Sequence, residues 1–252
     1  MRIAIVTGAS SGLGKEFTGE IIEKYRELDE IWLIARRKER LEEIRQKYSD
    51  KEIRLVPMDL GKEESFVEFE KILDENKPDI RILVSNAGVG TRGKFEEKDL
   101  KSQLNMINLN VMGCTAITRL CLPYMKKGSF IVETCSVSSF VPNPNMAVYS
   151  GTKAFVLYFS RAIREELKSR GINVCALCPG NMASEMAILS EAQGKKSVVN
   201  KLPYLDMKNV ARDSLKAAQG GKAVYTPGAF YKFYRVISKL FPHNLVVPFA
   251  KV

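Results

Sequence analysis

Short apolar runs punctuate this chain at residues 2–7, 30–35, 52–57, 80–85, 129–135, 172–178 and 222–226, and helical segments separate them. The first run, RIAIVT, is rich in β-branched residues and reads as a buried strand. Strands alternating with helices predict a parallel sheet covered by helices on both faces. Seven such runs make a doubly wound, seven-stranded α/β fold. About 250 residues suit one domain of this kind, in which roughly three-quarters of the unfolded surface is buried. No linker, repeat or low-complexity tract interrupts residues 1–252, so a single domain is expected. Ligands of open α/β sheets bind at the carboxyl ends of the strands, and the chemistry-bearing residues cluster after those runs.

The turn after the first run, TGASSGLGKEF, places Gly8, Gly12 and Gly14 in the spacing G-x-x-x-G-x-G. Gly8 lets the chain turn off the strand, and Gly12 lets backbone approach a pyrophosphate. Gly14 lets the following helix, about residues 13–28, pack onto the sheet. The helix N-terminus offers amides and its dipole to phosphates. The strand before and the helix after distinguish this turn from an ordinary tight loop.

Further along, SVSSFVPNPNMAVYSGTK holds Ser136, Tyr149 and Lys153. Four residues separate the last two, one helical turn, so they share a helix face. An ammonium beside a phenol favours its ionised form and so eases proton transfer near neutral pH. Ser136, at the end of the preceding strand, can point its hydroxyl at the same spot. These groups together would move a proton on and off an alcohol oxygen.

The two motifs, at this separation, resemble those of the short-chain dehydrogenase/reductase family, in its compact single-domain branch with a Rossmann-like fold. The resemblance covers nearly the whole chain. Asn86, Ala87 and Gly88 follow the family's fourth strand, Asn110 in NLNVMG sits where its fourth catalytic residue lies, and Pro179-Gly180 follows INVCALC. Ser184 stands where the family commonly has a Thr against the nicotinamide carboxamide. The resemblance implies a catalytic set of Asn110, Ser136, Tyr149 and Lys153. In it Tyr149 is the general acid in reduction and the base in oxidation. Lys153 assists Tyr149 and binds the nicotinamide ribose, Ser136 holds the substrate oxygen, and Asn110 positions a relay water. The resemblance also implies cofactor contacts from Gly8, Ser10, Ser11, Gly12, Leu13, Gly14, Asn86, Ala87, Gly88, Tyr149, Lys153, Pro179, Gly180, Met182 and Ser184.

The second strand selects between nicotinamides. An NAD site would end it with an acid that grips both ribose hydroxyls; here Ala35 stands at that place, followed by Arg36 and Arg37. Arginine attracts a 2′-phosphate and can bond it bidentately, and Lys15 adds charge nearby. The expected cofactor is NADP(H). Asp59 and Leu60 resemble the family's adenine contact, although Asp59 could equally cap the helix beginning near residue 62.

The family's variable pocket draws on the loop after the fifth strand, on about residues 181–205 and on the tail, about residues 229–252. Val137, Phe140, Asn143, Met146 and Met186 are expected against the substrate, with Ser136 and Tyr149. Val141, Pro142, Met182, Leu189, Leu202 and Tyr204 extend the same apolar, methionine-rich lining, which tolerates varied hydrophobic shapes. The tail AFYKFYRVISKLFPHNLVVPFAKV is aromatic, basic and amphipathic. Three roles are open to it: capping the pocket, packing in an oligomer interface, or resting on a membrane surface.

The net charge is +10, part of which suits cofactor phosphates; the surplus could steer an anionic substrate or serve solubility. No nucleic-acid-binding module is evident. The first strand begins at residue 2, no apolar run approaches the ~20 residues of a membrane span, and the five cysteines suit a reducing compartment, so a cytoplasmic protein is expected. Cys175 and Cys178, three apart on a strand, point to opposite faces and form no redox or metal pair. His243 is the only histidine and is taken as structural. The reading is an NADPH-dependent reductase of a lipophilic ketone or aldehyde, reversible as an alcohol dehydrogenase, in a homodimer or homotetramer. A 3-oxoacyl thioester reductase or hydroxysteroid dehydrogenase is the alternative within the class. A catalytically silent NADP(H) sensor is the alternative outside it.

Overall fold

A computed structural model describes residues 1–183 and 202–250. Seven strands form one parallel sheet in the order β3-β2-β1-β4-β5-β6-β7. They are β1 (Arg2–Thr7), β2 (Glu30–Ala35), β3 (Ile53–Pro57), β4 (Asp79–Ser85), β5 (Met125–Thr134), β6 (Asn173–Leu177) and β7 (Val224–Tyr225). The strand order reverses between β1 and β4, and that switch point opens a crevice at the carboxyl ends. This is the expected Rossmann-like, doubly wound architecture.

Helices cover both faces. On one, α1 (Gly12–Lys24) and α2 (Lys38–Lys47) pack Leu13, Phe17, Ile21, Leu41 and Ile44 onto Ala4, Val6, Leu33 and Val132. The other face carries α3 (Glu64–Asn76), then α4 (Leu100–Ile107), α5 (Cys114–Cys121) and α6 (Ala147–Leu167). There Phe69, Leu73, Ile117 and Ile163 meet Ile3, Ile5, Leu83 and Ile131. The first face is completed by α7 (Met207–Gln219), whose Val210, Ala211 and Leu215 join its core. Two local caps set helix starts: Asp99 accepts from the Ser102 amide at 2.8 Å, and Asp206 from the Asn209 amide at 2.7 Å. Beyond β7, α8 (Ala229–Leu240) and α9 (His243–Val246) run along the mouth of the crevice.

Three boundaries differ from the sequence reading. Helix α1 ends at Lys24 rather than near residue 28. Strand β5 starts at Met125, with a register shift against β4, because the polar segment 125–128 still pairs through its backbone. Strand β7 shrinks to two residues at the sheet edge.

Candidate active site

Residues at the carboxyl ends of the strands line one cavity of about 1600 Å³. That exceeds the ~300–1,000 Å³ of a site for a single small ligand, and leaves room for a dinucleotide beside a second molecule.

The glycine turn forms one end. Gly8 has φ of +66°, and its amide donates to the Ile34 carbonyl at 2.8 Å, so the chain leaves β1 in a conformation that side chains disfavour. A Cβ on Gly14 would lie 2.2 Å from the Gly8 carbonyl oxygen. The missing side chain therefore seats α1 against the turn and Asn86, rather than against the sheet as expected. Ser11 precedes α1 without a side-chain cap, and the first helical turn holds no acid. Its amides thus border the cavity with no protein anion on them, which fits a phosphate.

The two arginines after β2 divide. Arg37 donates to Ser11 Oγ at 2.8 Å and to Ser10 Oγ at 3.2 Å, bracing the glycine turn. Arg36 leaves 64% of its side chain exposed on the cavity wall, with Asp59 at 4.0 Å. Asp59 Oδ1 accepts from the Gly61 amide at 3.0 Å, and Glu63 precedes α3, so Asp59 closes a turn and does not cap that helix. Leu13 and Leu60 are on the wall; Lys15 is not.

In the middle, Thr7 Oγ1 accepts from the amides of Asn86 at 2.8 Å and Ala87 at 2.9 Å. Asn86 donates to the Thr7 carbonyl at 3.2 Å and accepts from Thr134 Oγ1 at 3.3 Å, tying β1, β4 and β5 together. Gly88 follows on the wall, where a Cβ would stand 3.1 Å from Asn110 Oδ1 and 3.3 Å from Lys153 Nζ.

The structure brings Ser136, Tyr149 and Lys153 to this same wall, each no more than 8% exposed. Ser136 Oγ accepts from the Ser138 amide at 3.1 Å, which leaves its proton available to the cavity. Lys153 Nζ donates to the Thr134 carbonyl at 2.7 Å and lies 6.0 Å from the centre of the Tyr149 ring. Two ammonium protons are left for other acceptors. Asn110 sits just below the wall, in a π-helical segment (Asn108–Gly113) between α4 and α5. Its Nδ2 donates to the Val89 carbonyl at 2.9 Å and to Thr152 Oγ1 at 3.0 Å, and its Oδ1 accepts from the Val89 amide at 2.9 Å. Thr152 itself donates to the Tyr149 carbonyl, which fixes the orientation of the Asn110 amide. One Oδ1 lone pair faces Gly88 and Lys153.

Of the apolar lining, Val137, Asn143, Met146, Met182 and Leu202 are on the wall, with Pro179 and Gly180. Phe140 is not: it packs near the Arg235 guanidinium, 5.9 Å from its ring. Val141, Pro142 and Tyr204 also stand off the wall. Ser184, Met186 and Leu189 lie outside the described residues.

The far wall comes from α8, through Phe230, Tyr231, Tyr234 and Ile237. Tyr231 is the anchor. Its ring covers Gly180, and its hydroxyl donates to the Pro203 carbonyl at 2.7 Å and accepts from the Asn181 amide at 3.0 Å. The sequence marked the tail as aromatic without singling out this residue. Glu133, three residues before Ser136, also escaped notice. It is fully buried, accepts from Thr118 Oγ1 at 2.7 Å and Cys114 Sγ at 3.1 Å, and burial raises its carboxyl above the ordinary range despite those bonds. Cys175 and Cys178 belong to different cores, and Cys178 neighbours Ser139 at 3.9 Å.

A family model described as short chain dehydrogenase matches residues 2–194. The "Very-long-chain 3-oxoacyl-CoA reductase" of Anas platyrhynchos is 32% identical over 197 residues, covering 75% of this chain and 62% of that protein. The chain thus spans less than two-thirds of that relative's length. A short-chain dehydrogenase from Sphingobium yanoikuyae, solved in complex with NADPH, superposes with a TM-score of 0.79 at 25% identity, covering 95% of this chain and 93% of its own. The "bulky-bulky ketone specific alcohol dehydrogenase from Comamonas testosteroni" gives 0.72 at 26%, covering 95% and 92%.

Proposed function

The chain belongs to the short chain dehydrogenase family, and from that membership we propose that it is an NADP(H)-dependent oxidoreductase that interconverts a lipophilic carbonyl compound and its secondary alcohol. The observation that carries this reading is the placement of Ser136, Tyr149 and Lys153 on one wall of a cavity whose other end is a glycine turn flanked by Arg36. The turn, the uncapped start of α1 and the open face at Gly88 fit a dinucleotide. A bound nicotinamide would supply the hydride.

The chain's own residues handle the proton. In reduction, the Tyr149 hydroxyl gives its proton to the substrate oxygen as the carbonyl carbon is reduced, and Ser136 donates a hydrogen bond to the same oxygen. The Lys153 ammonium, held by Thr134, favours the Tyr149 phenolate that results and offers its remaining protons to the ribose hydroxyls. Asn110 holds, through its remaining Oδ1 lone pair, a water that returns a proton by way of Lys153. Arg36 takes the 2′-phosphate, while Arg37 keeps the glycine turn in shape.

The substrate class is set by the other walls. Met146, Met182, Phe230 and Ile237 are apolar and surround a space too long for a small ketone. The 3-oxoacyl-CoA activity named for the Anas platyrhynchos relative favours a 3-oxoacyl thioester. A homodimer or homotetramer in the cytoplasm belongs to the same proposal. The test is a panel of ketones, steroids and 3-oxoacyl thioesters, read by NADPH absorbance. Tight NADPH binding with no turnover across the panel would replace the enzyme with a sensor. For the cofactor, Arg36→Asp should weaken NADPH by about 2 kcal/mol, allowing for the exposure of the side chain, and leave NADH nearly unchanged. Equal affinities for NADPH and NADH in the unaltered protein would refute the assignment.

A further inference from the structure

Helix α8 presents two different apolar strips. Phe230, Tyr234 and Ile237 line the cavity, while Tyr231 and Ser238 are buried against the body of the protein. Beside the cavity strip runs a second, made of Phe233, Val236 and Leu240, which are 64%, 52% and 70% exposed. Nothing in the fold covers it. The strip continues past the helix into Leu245 and Phe249, both exposed and both also on the cavity rim. Exposed side chains of this size in one contiguous band mark an interaction surface.

The charge around the band is one-sided. No acidic residue follows Asp213, whereas six Lys and Arg residues do. Lys232 and Lys239, seven apart, share one edge of the exposed strip. A helix with an apolar face of Phe, Val and Leu bordered by lysines is built to lie in a lipid–water interface. A phosphate-lined polymer would match the lysines and leave the phenylalanines in water. An anionic bilayer surface matches both.

We propose that α8 and the segment after it dock the mouth of the cavity onto an anionic lipid surface, so that a lipophilic substrate passes from the membrane into the site without crossing water. This rests on the reading of the cavity as a lipophilic-substrate site. The apolar strip would enter the acyl boundary, and Lys232 and Lys239 would meet the headgroups, as the anionic cytoplasmic leaflet allows.

The test is flotation of the full chain with vesicles of phosphatidylcholine alone, or of phosphatidylcholine with phosphatidylserine. The protein should float with the anionic vesicles, and raised salt should release it. Phe233→Glu with Leu240→Glu should reduce binding at least tenfold. Lys232→Gln with Lys239→Gln should reduce it about fivefold per lysine. NADPH binding, read by fluorescence, should persist in both variants, which shows that they fold. Equal flotation with neutral and anionic vesicles, no flotation, or flotation untouched by the paired glutamates would overturn the proposal. So would a change from oligomer to monomer in those variants without any vesicle binding, which would make the strip a contact between copies of this chain. Flotation needs no turnover, so a protein that floats yet fails to bind NADPH would sink the reductase reading and leave the docking surface standing.

Discussion

Gly180→Ala adds one methyl group where none fits. The new Cβ would lie 2.1, 2.2 and 2.3 Å from Cζ, Cε2 and Cε1 of the buried Tyr231 ring. Carbon atoms normally rest about 3.5–4.0 Å apart, so the ring and the chain must separate by more than about 1 Å. Gly180 has no left-handed φ, so the cost is steric and not one of backbone strain. Overpacking of this kind costs about 1–3 kcal/mol. The same displacement breaks the bonds from Tyr231 to Pro203 and Asn181, at about 1 kcal/mol each. The expected loss is about 3–4 kcal/mol, or a fall in Tm of about 6–14 °C for a chain of this size. Because α8 carries Phe230, Tyr234 and Ile237 on the cavity wall, KM for a lipophilic substrate should rise with it. The assay is thermal unfolding of a double-mutant cycle with Tyr231→Ala. If the clash is the cause, the second alanine adds less in the Gly180→Ala background than alone, by at least about 1 kcal/mol. A Gly180→Ala protein within about 0.5 kcal/mol of the parent, or strictly additive effects, would refute the packing argument.

Other consequences can be checked separately. Tyr149→Phe should leave the fold and NADPH affinity intact and slow carbonyl reduction by about 10²–10⁴-fold, the usual contribution of a proton donor; single-turnover measurement decides it, and substantial remaining activity would point to another acid. Glu133 titrates above its ordinary 4.5 in the folded chain because of burial, so the native state binds its proton more tightly than the unfolded one. The stability this provides is full below 4.5 and is lost as pH rises through the folded value. Glu133→Gln should therefore flatten the decline in urea midpoint between mildly acidic and neutral pH, and an unchanged slope would assign the decline elsewhere. All five cysteines are buried, and burial pushes Cys175 up to about 12. Iodoacetamide should leave the native protein unlabelled at neutral pH and react only on unfolding, whereas fast native labelling would contradict the buried placement.

Much of the framework is legible in local pattern. β1 and β2 match their predicted bounds, because strands buried on both faces read as uninterrupted apolar runs and end at turn residues. The Tyr149–Lys153 pair is legible for a similar reason: helical spacing alone puts the two on one face. β5 is longer than its apolar run because backbone pairing is indifferent to the polar side chains of residues 125–128.

The rest depends on contacts between distant segments. That Arg37 and not Arg36 braces the glycine turn is a matter of where β2 ends relative to Ser10 and Ser11, 26 or 27 residues away. Phe140 looked like cavity lining by composition, yet α8 brings Arg235 over its ring and the wall closes without it. Glu133 looked like one polar residue in a strand, until β4 and β6 closed on either side and buried it. The tail carried three roles in the sequence, and the packing of Tyr231 onto Gly180 makes one strip of α8 a cavity wall and leaves its neighbour exposed. Periodicity states which side of an element is apolar; what that side meets is fixed by close-packing of surfaces that are far apart in the chain.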